Sequence, residues 1–346
     1  MLKWSSSRRL PGGSILVSDY ADAHRVLVTR AESFVHESGF FRVGGVPLRP
    51  DEIRIMRRSL TAVLSGPPTG EWERERIEPT LASSRIRLQS WGHHMIHAYF
   101  IEALVGDRGA ALRDSVEDYV THSVIPDDIR GRRFFRYRSV NRIRRRLSEV
   151  LGTAKPHPEP RDLVDIVKLV PRLDAAEQAE VFQRLVLSVV GFTGAALEWS
   201  LLHAANARDA IESVQSHVLE TLRVTPPAWR LARTPAEQVP LEHETADSGQ
   251  EVLINLHAIH NAPEVWDNPT QFCPARWQDG VAAPREYLPF GRGRSACPGQ
   301  MPAMAAVSSI TQYIVARYEL KAATRGTPMV RTLLAPPRGE LTLRAR

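Results

Sequence analysis

The stretch of sequence that decides the fold is Phe290-Gly-Arg-Gly-Arg-Ser-Ala-Cys297-Pro-Gly299, and a helical pattern, QMPAMAAVSSITQYIVARY, follows it directly. A cysteine just before a helix start feels the positive end of the helix dipole and unpaired backbone N–H groups, both of which favour thiolate over thiol. The glycines at 291, 293 and 299 remove side chains near the sulfur, so that a flat cofactor could approach the backbone. Composition alone would favour an inert buried cysteine, but the arrangement of the loop predicts a sulfur that binds a metal.

The loop resembles the haem-binding signature of the cytochromes P450, which has the form FxxGxxxCxG. Its four fixed positions are occupied by Phe290, Gly293, Cys297 and Gly299. The resemblance implies that Cys297 is the axial ligand of the iron in haem b, and that the other three residues lie against the cofactor. One departure is Ser295, because the family often has His or Arg two positions before the cysteine. Local contacts with the haem are therefore expected to differ.

A second match is the segment Glu220-Thr-Leu-Arg223, which lies on a predicted helix. The i, i+3 spacing puts both side chains on one face, where they can pair. Such a pair is by itself common on surfaces and contributes little. Here it resembles the ExxR motif of the family, and FCPARW at 272–277 resembles the family's Phe-x-Pro-x-Arg segment. The resemblance implies a structural triad of Glu220, Arg223 and Arg276, with Cys273 at an unconstrained position.

Two further matches concern the haem propionates, which need cationic or hydrogen-bonding partners when they are buried. Trp72-Glu-Arg-Glu-Arg76 resembles the WxxxR of the family's C helix, and Arg233 follows Arg223 by ten residues, where the family commonly has another propionate ligand. Either match alone is equally typical of a structural salt bridge. Their joint occurrence with the cysteine loop favours haem, with Trp72, Arg76 and Arg233 as implied propionate ligands.

The central helix departs from the family. Monooxygenase members carry an acid followed by an alcohol there, for proton delivery, whereas this chain has VVGFTGAALEW at 189–199. Alignment on Gly191 puts Thr193 at the acid position and Gly194 at the alcohol position. Alignment on Trp199 instead puts a glycine and a phenylalanine there. The acid is lost in both registers, so Thr193 is the candidate catalytic residue.

Glu198 does not replace the lost acid by simple substitution. It follows Thr193 by five residues, which is about 140° of rotation on a helix, so the two side chains do not share a face. Three routes stay open for proton delivery. Thr193 acts with water, the substrate supplies its own groups, or no proton delivery is needed.

Helical periodicity dominates the rest of the chain, and strand patterns are few and late. Helices are predicted near 19–30, 51–64, 71–104, 110–124, 138–151, 175–206, 208–223 and 300–317, with strands at 14–18, 229–233, 250–256 and 340–344. This pattern is typical of a mainly helical α+β fold with a small, mostly antiparallel β region. The resemblance implies a cytochrome P450 fold, shortened at the N-terminus and in the substrate-covering helices between 120 and 165. We expect a single domain over residues 1–346.

Composition excludes several classes of protein. The chain has 346 residues, 43% of them hydrophobic, and only two cysteines, which is no disulfide framework. The N-terminus lacks the apolar core of a signal peptide, and no run approaches about 20 apolar residues, so we expect a cytoplasmic protein that binds no membrane. No Walker loop, Rossmann fingerprint or GxSxG elbow is present, so no nicotinamide or flavin site is predicted.

Two other clusters were candidates for binding. Nine arginines lie within 130–146, interleaved with aromatic residues, which could suit nucleic acid. An exposed helix face with apolar anchors is the more common origin of such a run, so no nucleic-acid binding is expected.

His93, His94 and His97 include an i, i+4 pair of the kind that binds zinc, but the general-base Glu and a third ligand are missing. An ordinary helix with surface and semi-buried histidines is favoured.

The sequence therefore predicts a haem-thiolate oxidoreductase that oxidises a small organic substrate in bacterial secondary metabolism, with electrons from ferredoxin and ferredoxin reductase. The contracted middle of the chain implies a more open substrate side, or one that a partner protein covers. The missing acid leaves open a haem enzyme with peroxide-driven, cross-linking, dehydrating or isomerising chemistry. A non-catalytic helper protein is the third alternative, although such relatives commonly lack the cysteine that this chain retains.

Overall fold

The computed structural model describes residues 7–35, 40–66, 71–125, 133–207, 211–277, 283–323 and 336–346, without the side chains of 133–139. The chain divides into two compact units. The first comprises Met1–Ser38, Ile211–Cys297 and Pro328–Leu334, and the second comprises Gly39–Ala210, Pro298–Thr327 and Ala335–Arg346. A single domain stays a prediction.

Helices are the main secondary structure of the described residues. They are α1 (Tyr20–His24), α2 (Pro50–Leu64), α3 (Trp72–Arg76), α4 (Trp91–Val105), α5 (Ala110–Tyr119), α6 (Arg133–Thr153), α7 (Leu163–Lys168), α8 (Ala175–Val186), α9 (Phe192–Asn206), α10 (Val214–Val224), α11 (Leu256–His260) and α12 (Gln300–Arg317). Short π-helical segments, Arg25–Thr29, Val120–Val124 and Leu187–Gly191, continue α1, α5 and α8.

The strands are short. They are β1 (Arg8–Arg9), β2 (Ile15–Val17), β3 (Phe34–Val35), β4 (Arg42–Val43), β5 (Val46–Pro47), β6 (Arg85–Arg87), β7 (Arg230–Pro235), β8 (Val239–Pro240), β9 (Thr245–Ala246), β10 (Val252–Asn255), β11 (Tyr318–Ala322) and β12 (Glu340–Ala345). All described strand pairs are antiparallel except β2 with β10. The predicted fold class, mainly helical α+β with a small and mostly antiparallel β region, is confirmed.

The first unit is built on a five-stranded sheet in the order β1-β2-β10-β7-β3. All four residues of β10 are buried, as expected for a central strand between two neighbours. Val252 and Ile254 join Ile15 and Val17 of β2 in one hydrophobic core. Burial of each such side chain stabilises the fold by roughly 1.5–3 kcal/mol.

The second unit is organised around α8 and α9, which form one continuous helical stretch, Ala175–Asn206. By length and composition this stretch could cross a membrane, with a mean hydropathy of 1.7, but 83% of that window is buried inside the protein, as in a core helix. The length of uninterrupted apolar runs does not reveal this stretch in the sequence, because Glu, Gln and Arg residues lie between the apolar residues of α8. Helices α4, α6 and α12 and strand β11 pack against it.

One predicted helix is wrong. The helix expected over 71–104 is interrupted by a 3-10 turn, Glu78–Leu81, and by strand β6. The 3-10 turn contains Pro79, which cannot continue an α-helix. Ser84 and Gln89 adopt positive φ angles of 53° and 84° on either side of β6. Strand β6 pairs with β12, more than 250 residues away in the chain, and local periodicity does not show such a pairing.

The arginine run and the three histidines for which no binding role was predicted lie on helices. On α6, Arg142, Arg145 and Arg146 are exposed while Ile143 and Leu147 are buried, which is an amphipathic face; Arg130 and Arg132 lie outside the described residues. On α4, His93 and His97 are buried rather than at the surface. Within the described part of the chain, no group of three His, Cys, Asp or Glu side chains could hold a metal ion.

Two buried histidines predict a loss of stability in acid. Burial lowers the pKa of His97 to about 4, helped by His94 and Arg113, and lowers the pKa of His260 to about 3. Because both values lie below the ordinary 6.5, the unfolded chain binds more protons below that pH. Stability is then fully present above pH 6.5 and falls as the pH drops towards 4 and 3. Each histidine should add a slope of about 1.4 kcal/mol per pH unit.

Urea unfolding on both sides of pH 6.5 measures this slope. The substitutions His97→Gln and His260→Gln should each flatten the acid limb. The control His243→Gln, at an exposed histidine, should leave it unchanged. The same slope in all four proteins would show that these imidazoles do not limit stability in acid.

Candidate functional site

The cysteine loop is closed by a backbone hydrogen bond between its ends. The N–H of Cys297 donates to the carbonyl oxygen of Phe290 at 2.8 Å, and a 3-10 turn, Gly293–Ser295, lies between them. Cys297 forms no disulfide and is exposed. Gly299 is the N-cap of the 18-residue helix α12. The sulfur therefore sits on a fixed loop three residues before a long helix, which is the setting that favours a thiolate.

Gly291 and Gly293 give the loop its shape. Both have positive φ angles, 68° and 70°, which L side chains rarely adopt. A Cβ added at Gly293 would also lie 2.5 Å from the carbonyl oxygen of Leu27, whereas one at Gly291 would make ordinary contacts, with the end of the Leu231 side chain at 3.4 Å and the carbonyl oxygen of Ser295 at 4.0 Å. Close packing on a backbone carbonyl is thus a second reason for Gly293, and the sequence does not reveal it.

Gly293→Ala should therefore cost more stability than Gly291→Ala. Both substitutions force an alanine into left-handed backbone, which costs roughly 1–2 kcal/mol. Only Gly293→Ala adds a collision with a backbone atom, so the loop must move and displace the residues before Cys297. Urea unfolding should show the larger loss for Gly293→Ala, together with weaker haem retention. Equal losses in the two variants would mean that the contact with Leu27 does not constrain the loop.

Two arginines fasten the loop to the N-terminal part of the first unit. Arg294 donates through Nη2 to the carbonyl oxygens of Ala31 and, at 3.0 Å, Phe34. Arg292 donates to the hydroxyl of Tyr20 at 3.3 Å. The Arg294 side chain is nevertheless exposed, so the loop carries positive charge at the surface.

The three side chains of the implied triad are in contact. The carboxylate of Glu220 accepts five hydrogen bonds: from Nε and Nη2 of Arg223 at 2.9 and 2.8 Å, from the N–H of Cys273 at 2.9 Å, from Nε of Arg276 at 3.1 Å and from Nε1 of Trp277 at 2.8 Å. Burial alone would raise the pKa of Glu220, but the bonds from Arg223 and Cys273 outweigh it and hold this pKa below its ordinary value. The glutamate is therefore an anion at neutral pH.

Arg223 is the buried centre of this network, with a fully buried side chain. Two of its N–H groups donate to the glutamate, and the others donate to the carbonyl oxygens of His260, Pro269 and Gln271 at 2.8, 2.8 and 3.1 Å. The guanidinium also lies 5.2 Å from the ring centroid of Trp266. All five donors are used, so this arginine ties α10 to the irregular segment that leads towards the cysteine loop.

The implied propionate ligands lie on two different elements. Arg233 is buried on β7, where its register partner on β10 is Val252, and its Nη1 donates to the carbonyl oxygen of Ala232 at 2.7 Å. Trp72 and Arg76 begin and end the five-residue helix α3. Trp72 is buried, whereas Arg76 is exposed. A guanidinium one turn from an indole N–H can bind an anion such as a carboxylate.

Helix α9 holds Thr193 near its start and Glu198 in its middle, and both are buried. Glu198 accepts hydrogen bonds from the N–H groups of Gln89 and Gly92 at 2.5 and 3.0 Å and lies 3.3 Å from Nδ1 of His93. These donors belong to the start of α4, so this carboxylate caps α4. The expectation that Glu198 does not replace the missing acid agrees with this placement.

The helices α4 and α9 cross at two glycines. A Cβ at Gly92 would lie 2.6 Å from Cγ of Glu198 and 2.8 Å from the carbonyl oxygen of Gly194, and one at Gly194 would lie 2.8 Å from Cα of His93. Gly194 therefore has a packing role. This explains why the position next to Thr193 has no side chain.

The residues present fit a haem. One exposed thiolate is too few ligands for a bare metal ion, but it suffices as the axial ligand of an iron whose other ligands are the porphyrin nitrogens. The indole and guanidinium groups of Trp72, Arg76 and Arg233 suit propionate carboxylates. The donor set is thus that of a haem-thiolate protein.

Comparison with known proteins agrees with this class. The model of the family described as Cytochrome P450 matches residues 203–343, which include the Glu220–Arg223–Arg276 network and the cysteine loop. A cyclooctat-9-en-7-ol 5-monooxygenase of Streptomyces melanosporofaciens is 31% identical over 115 residues, which is 32% of this chain and 25% of that protein. A (+)-piperitol/(+)-sesamin synthase of Sesamum radiatum is 41% identical over 83 residues, 24% of this chain and 16% of that protein.

The fold is also shared with solved structures. A zebra fish cytochrome P450, solved with progesterone, has a TM-score of 0.73 at 16% identity and covers 96% of this chain and 93% of its own. The chain therefore has the fold of a cytochrome P450, and its residues 203–343 are similar in sequence to the cytochrome P450 family. The matched segments span only about a quarter or less of the length of these two relatives. Similarity to this family implies a haem cofactor.

Proposed function

We propose that the chain is a haem-thiolate oxidoreductase, a monooxygenase in the first instance, that oxidises a small organic molecule in bacterial secondary metabolism. The observation that carries this proposal is Cys297, exposed on a closed loop three residues before α12. The buried Glu220–Arg223 network supports it, because the same motif accompanies the cysteine in the family that the chain resembles. The bacterial relative is a cyclooctat-9-en-7-ol 5-monooxygenase, and the plant relative is a (+)-piperitol/(+)-sesamin synthase.

Each implied residue has a distinct task in this proposal. Cys297 would hold the iron as a thiolate, while Trp72, Arg76 and Arg233 would bind the propionates. Bound haem b would supply one-electron and dioxygen chemistry. Thr193 would hold a water molecule or the substrate through its hydroxyl. Glu198 would stabilise the crossing of α4 with α9, since its carboxylate is already occupied by donors of α4.

The electron donor in this proposal is ferredoxin, itself reduced by ferredoxin reductase, in the cytoplasm. The net charge of +6 suits an acidic redox partner, and Arg292 and Arg294 put positive charge next to the cysteine. Complementary charge mainly raises the association rate and is screened by salt. We also propose that a separate partner protein covers the substrate side, because the sequence between 120 and 165 is contracted.

One observation favours a second candidate, a haem enzyme that uses peroxide or performs a non-oxygenating reaction. The acid of the central helix is absent, and Glu198 is engaged by α4. A reaction driven by peroxide would not need protons delivered to dioxygen by that helix. Substrate turnover with hydrogen peroxide, and none with ferredoxin, ferredoxin reductase and NADPH, would select this candidate.

The test of the leading proposal is reduction of the haem-loaded protein by ferredoxin, ferredoxin reductase and NADPH under carbon monoxide. The absorption band near ~450 nm should grow with time, and Arg292→Glu should slow it several-fold at low salt but little at high salt. Arg142→Glu, on the exposed face of α6, is the matched charge control and should have a smaller effect. No reduction by any ferredoxin, with normal reduction by dithionite, would overturn the ferredoxin proposal.

A further inference from the structure

Helix α3 and the 3-10 turn that follows it are fastened to α12 by two short hydrogen bonds, one to each. The hydroxyl of Ser309 donates to Oε1 of Glu73 at 2.6 Å, and the hydroxyl of Tyr313 donates to Oε1 of Glu78 at 2.6 Å. Ser309 and Tyr313 are four residues apart on α12, so they lie on one face of that helix. The two glutamates lie within α3 and in the 3-10 turn that follows it. Both ends of this short segment are therefore held.

A five-residue helix needs such support. Isolated helices of this length are not stable in water, because nucleation costs more than one or two backbone hydrogen bonds return. Helix α3 carries Trp72 and Arg76, the two implied propionate ligands of the second unit. Their positions thus depend on what α3 is attached to.

The bond to Ser309 also decides which partner Glu73 takes. Glu73 and Arg76 are three residues apart, a spacing at which a carboxylate and a guanidinium can pair on a helix. In the structure Glu73 instead accepts from Ser309, while Glu71 pairs with Arg74 at 3.3 Å. Arg76 forms no salt bridge with any other described residue. Its positive charge is therefore available for an external anion.

From this geometry we propose that Ser309 and Tyr313 are positioning residues, which hold α3 against α12 and keep Arg76 unpaired for a haem propionate. The inference rests on the proposed haem-binding function. Hydroxyl-to-carboxylate bonds of this length are charge-assisted and stronger than neutral ones. The guanidinium of Arg317 lies 3.9 Å from the ring centroid of Tyr313 and helps to fix that ring.

The donor role of Tyr313 persists over the working pH range. Burial and the hydrogen bond to Glu78 raise the pKa of the Tyr313 hydroxyl to about 12. The phenol therefore keeps its proton at neutral pH and above, until the pH approaches this value. The tether through Tyr313 should be insensitive to pH on the alkaline side of neutrality.

The test uses haem-loaded full-length protein with Ser309→Ala, Tyr313→Phe and the double variant. Two properties are measured, the reduction potential of the iron and the rate of haem transfer to apomyoglobin. The double variant should release haem about ten-fold faster, the factor expected for loss of a hydrogen bond to a charged group. Its reduction potential should shift to a more negative value, because a cation near the propionates stabilises the reduced haem.

Matched controls separate positioning from general damage. Ser308→Ala and Tyr318→Phe remove neighbouring hydroxyls that make no bond to α3 among the described residues, and both should behave like the parent. In an Arg76→Ala background, the tether variants should add nothing further, since independent effects would add. Glu73→Gln combined with Ser309→Ala should restore slow haem release, because an amide does not compete for Arg76 as a carboxylate does.

The outcomes distinguish the tether from the haem itself. Ser309→Ala and Tyr313→Phe variants with the parental potential and haem-transfer rate would overturn the positioning role, as would effects that persist unchanged in the Arg76→Ala background. A parent protein that binds no haem would instead overturn the proposed function on which the inference rests.

Discussion

Cys297→Ala is expected to abolish the absorption near ~450 nm that cysteinate-ligated haem gives in the reduced carbon monoxide complex. The sulfur sits on a loop that a 2.8 Å backbone hydrogen bond closes, and an alanine at this position supplies no ligand for the iron. Any haem that the variant retains should carry a different axial ligand, and its carbon monoxide band should lie at shorter wavelength. Optical spectra of parent and variant, at equal haem content, measure the difference.

The chain provides its own control at Cys273. Its backbone N–H, not its side chain, donates to Glu220. Cys273→Ala should therefore keep both the network and the spectrum. A normal spectrum from Cys297→Ala, or loss of the ~450 nm band in Cys273→Ala, would contradict the assignment of Cys297 as the thiolate ligand.

Glu220→Ala should have the largest effect on stability. It removes the carboxylate that pairs with the fully buried Arg223 and leaves a buried cation without this partner, which typically costs about 3–5 kcal/mol. The donors of Cys273 and Trp277 also lose their acceptor. A loss of this size is a large part of the stability of a typical domain. We expect little soluble, haem-loaded protein, and a much lower urea midpoint for what is recovered.

The matched control is Glu71→Ala. Glu71 and Arg74 have the same i, i+3 spacing as Glu220 and Arg223, but both side chains are 68% exposed. Solvent screens such a pair, so its loss should change stability by less than about 1 kcal/mol. Similar urea midpoints for the two variants would mean that burial does not distinguish the two pairs.

The parts of the structure that depend on local pattern were predictable from the sequence. The helix over 300–317 and the continuous stretch over 175–206 are found at the predicted boundaries. The predicted contact of Glu220 with Arg223 and Arg276 is present, because the helical spacing and the family motif both specify it. The assignments of these and the other site residues to haem binding and catalysis stay predictions.

The features that the sequence does not predict depend on contacts between distant parts of the chain. The pairing of β6 with β12 overrides the helical pattern of the 71–104 segment. The bonds from Ser309 to α3 and from Tyr313 to the 3-10 turn after it join residues more than 230 positions apart, and nothing in either local sequence indicates them. The contact of Gly293 with Leu27 is of the same kind. The spacing of a motif can suggest a role for a residue, but only the fold shows which other residues it contacts.

The central helix has one feature that follows from local helical geometry and others that depend on contacts with α4. The helical rotation between Thr193 and Glu198 predicts that the two side chains do not act together, and this stays a prediction. It cannot show that Glu198 accepts two backbone N–H groups at the start of α4, or that Gly194 is required for the approach of that helix. The segment that lacks the acid is therefore the one that packs closely against the start of α4.

The most direct test of the central claim is the optical spectrum of the purified parent protein, reduced with dithionite under carbon monoxide. A Soret band near ~450 nm is predicted, since Cys297 would ligate the iron as a thiolate. Absence of haem, even after reconstitution, would contradict the claim and would favour a helper protein that acts without a cofactor.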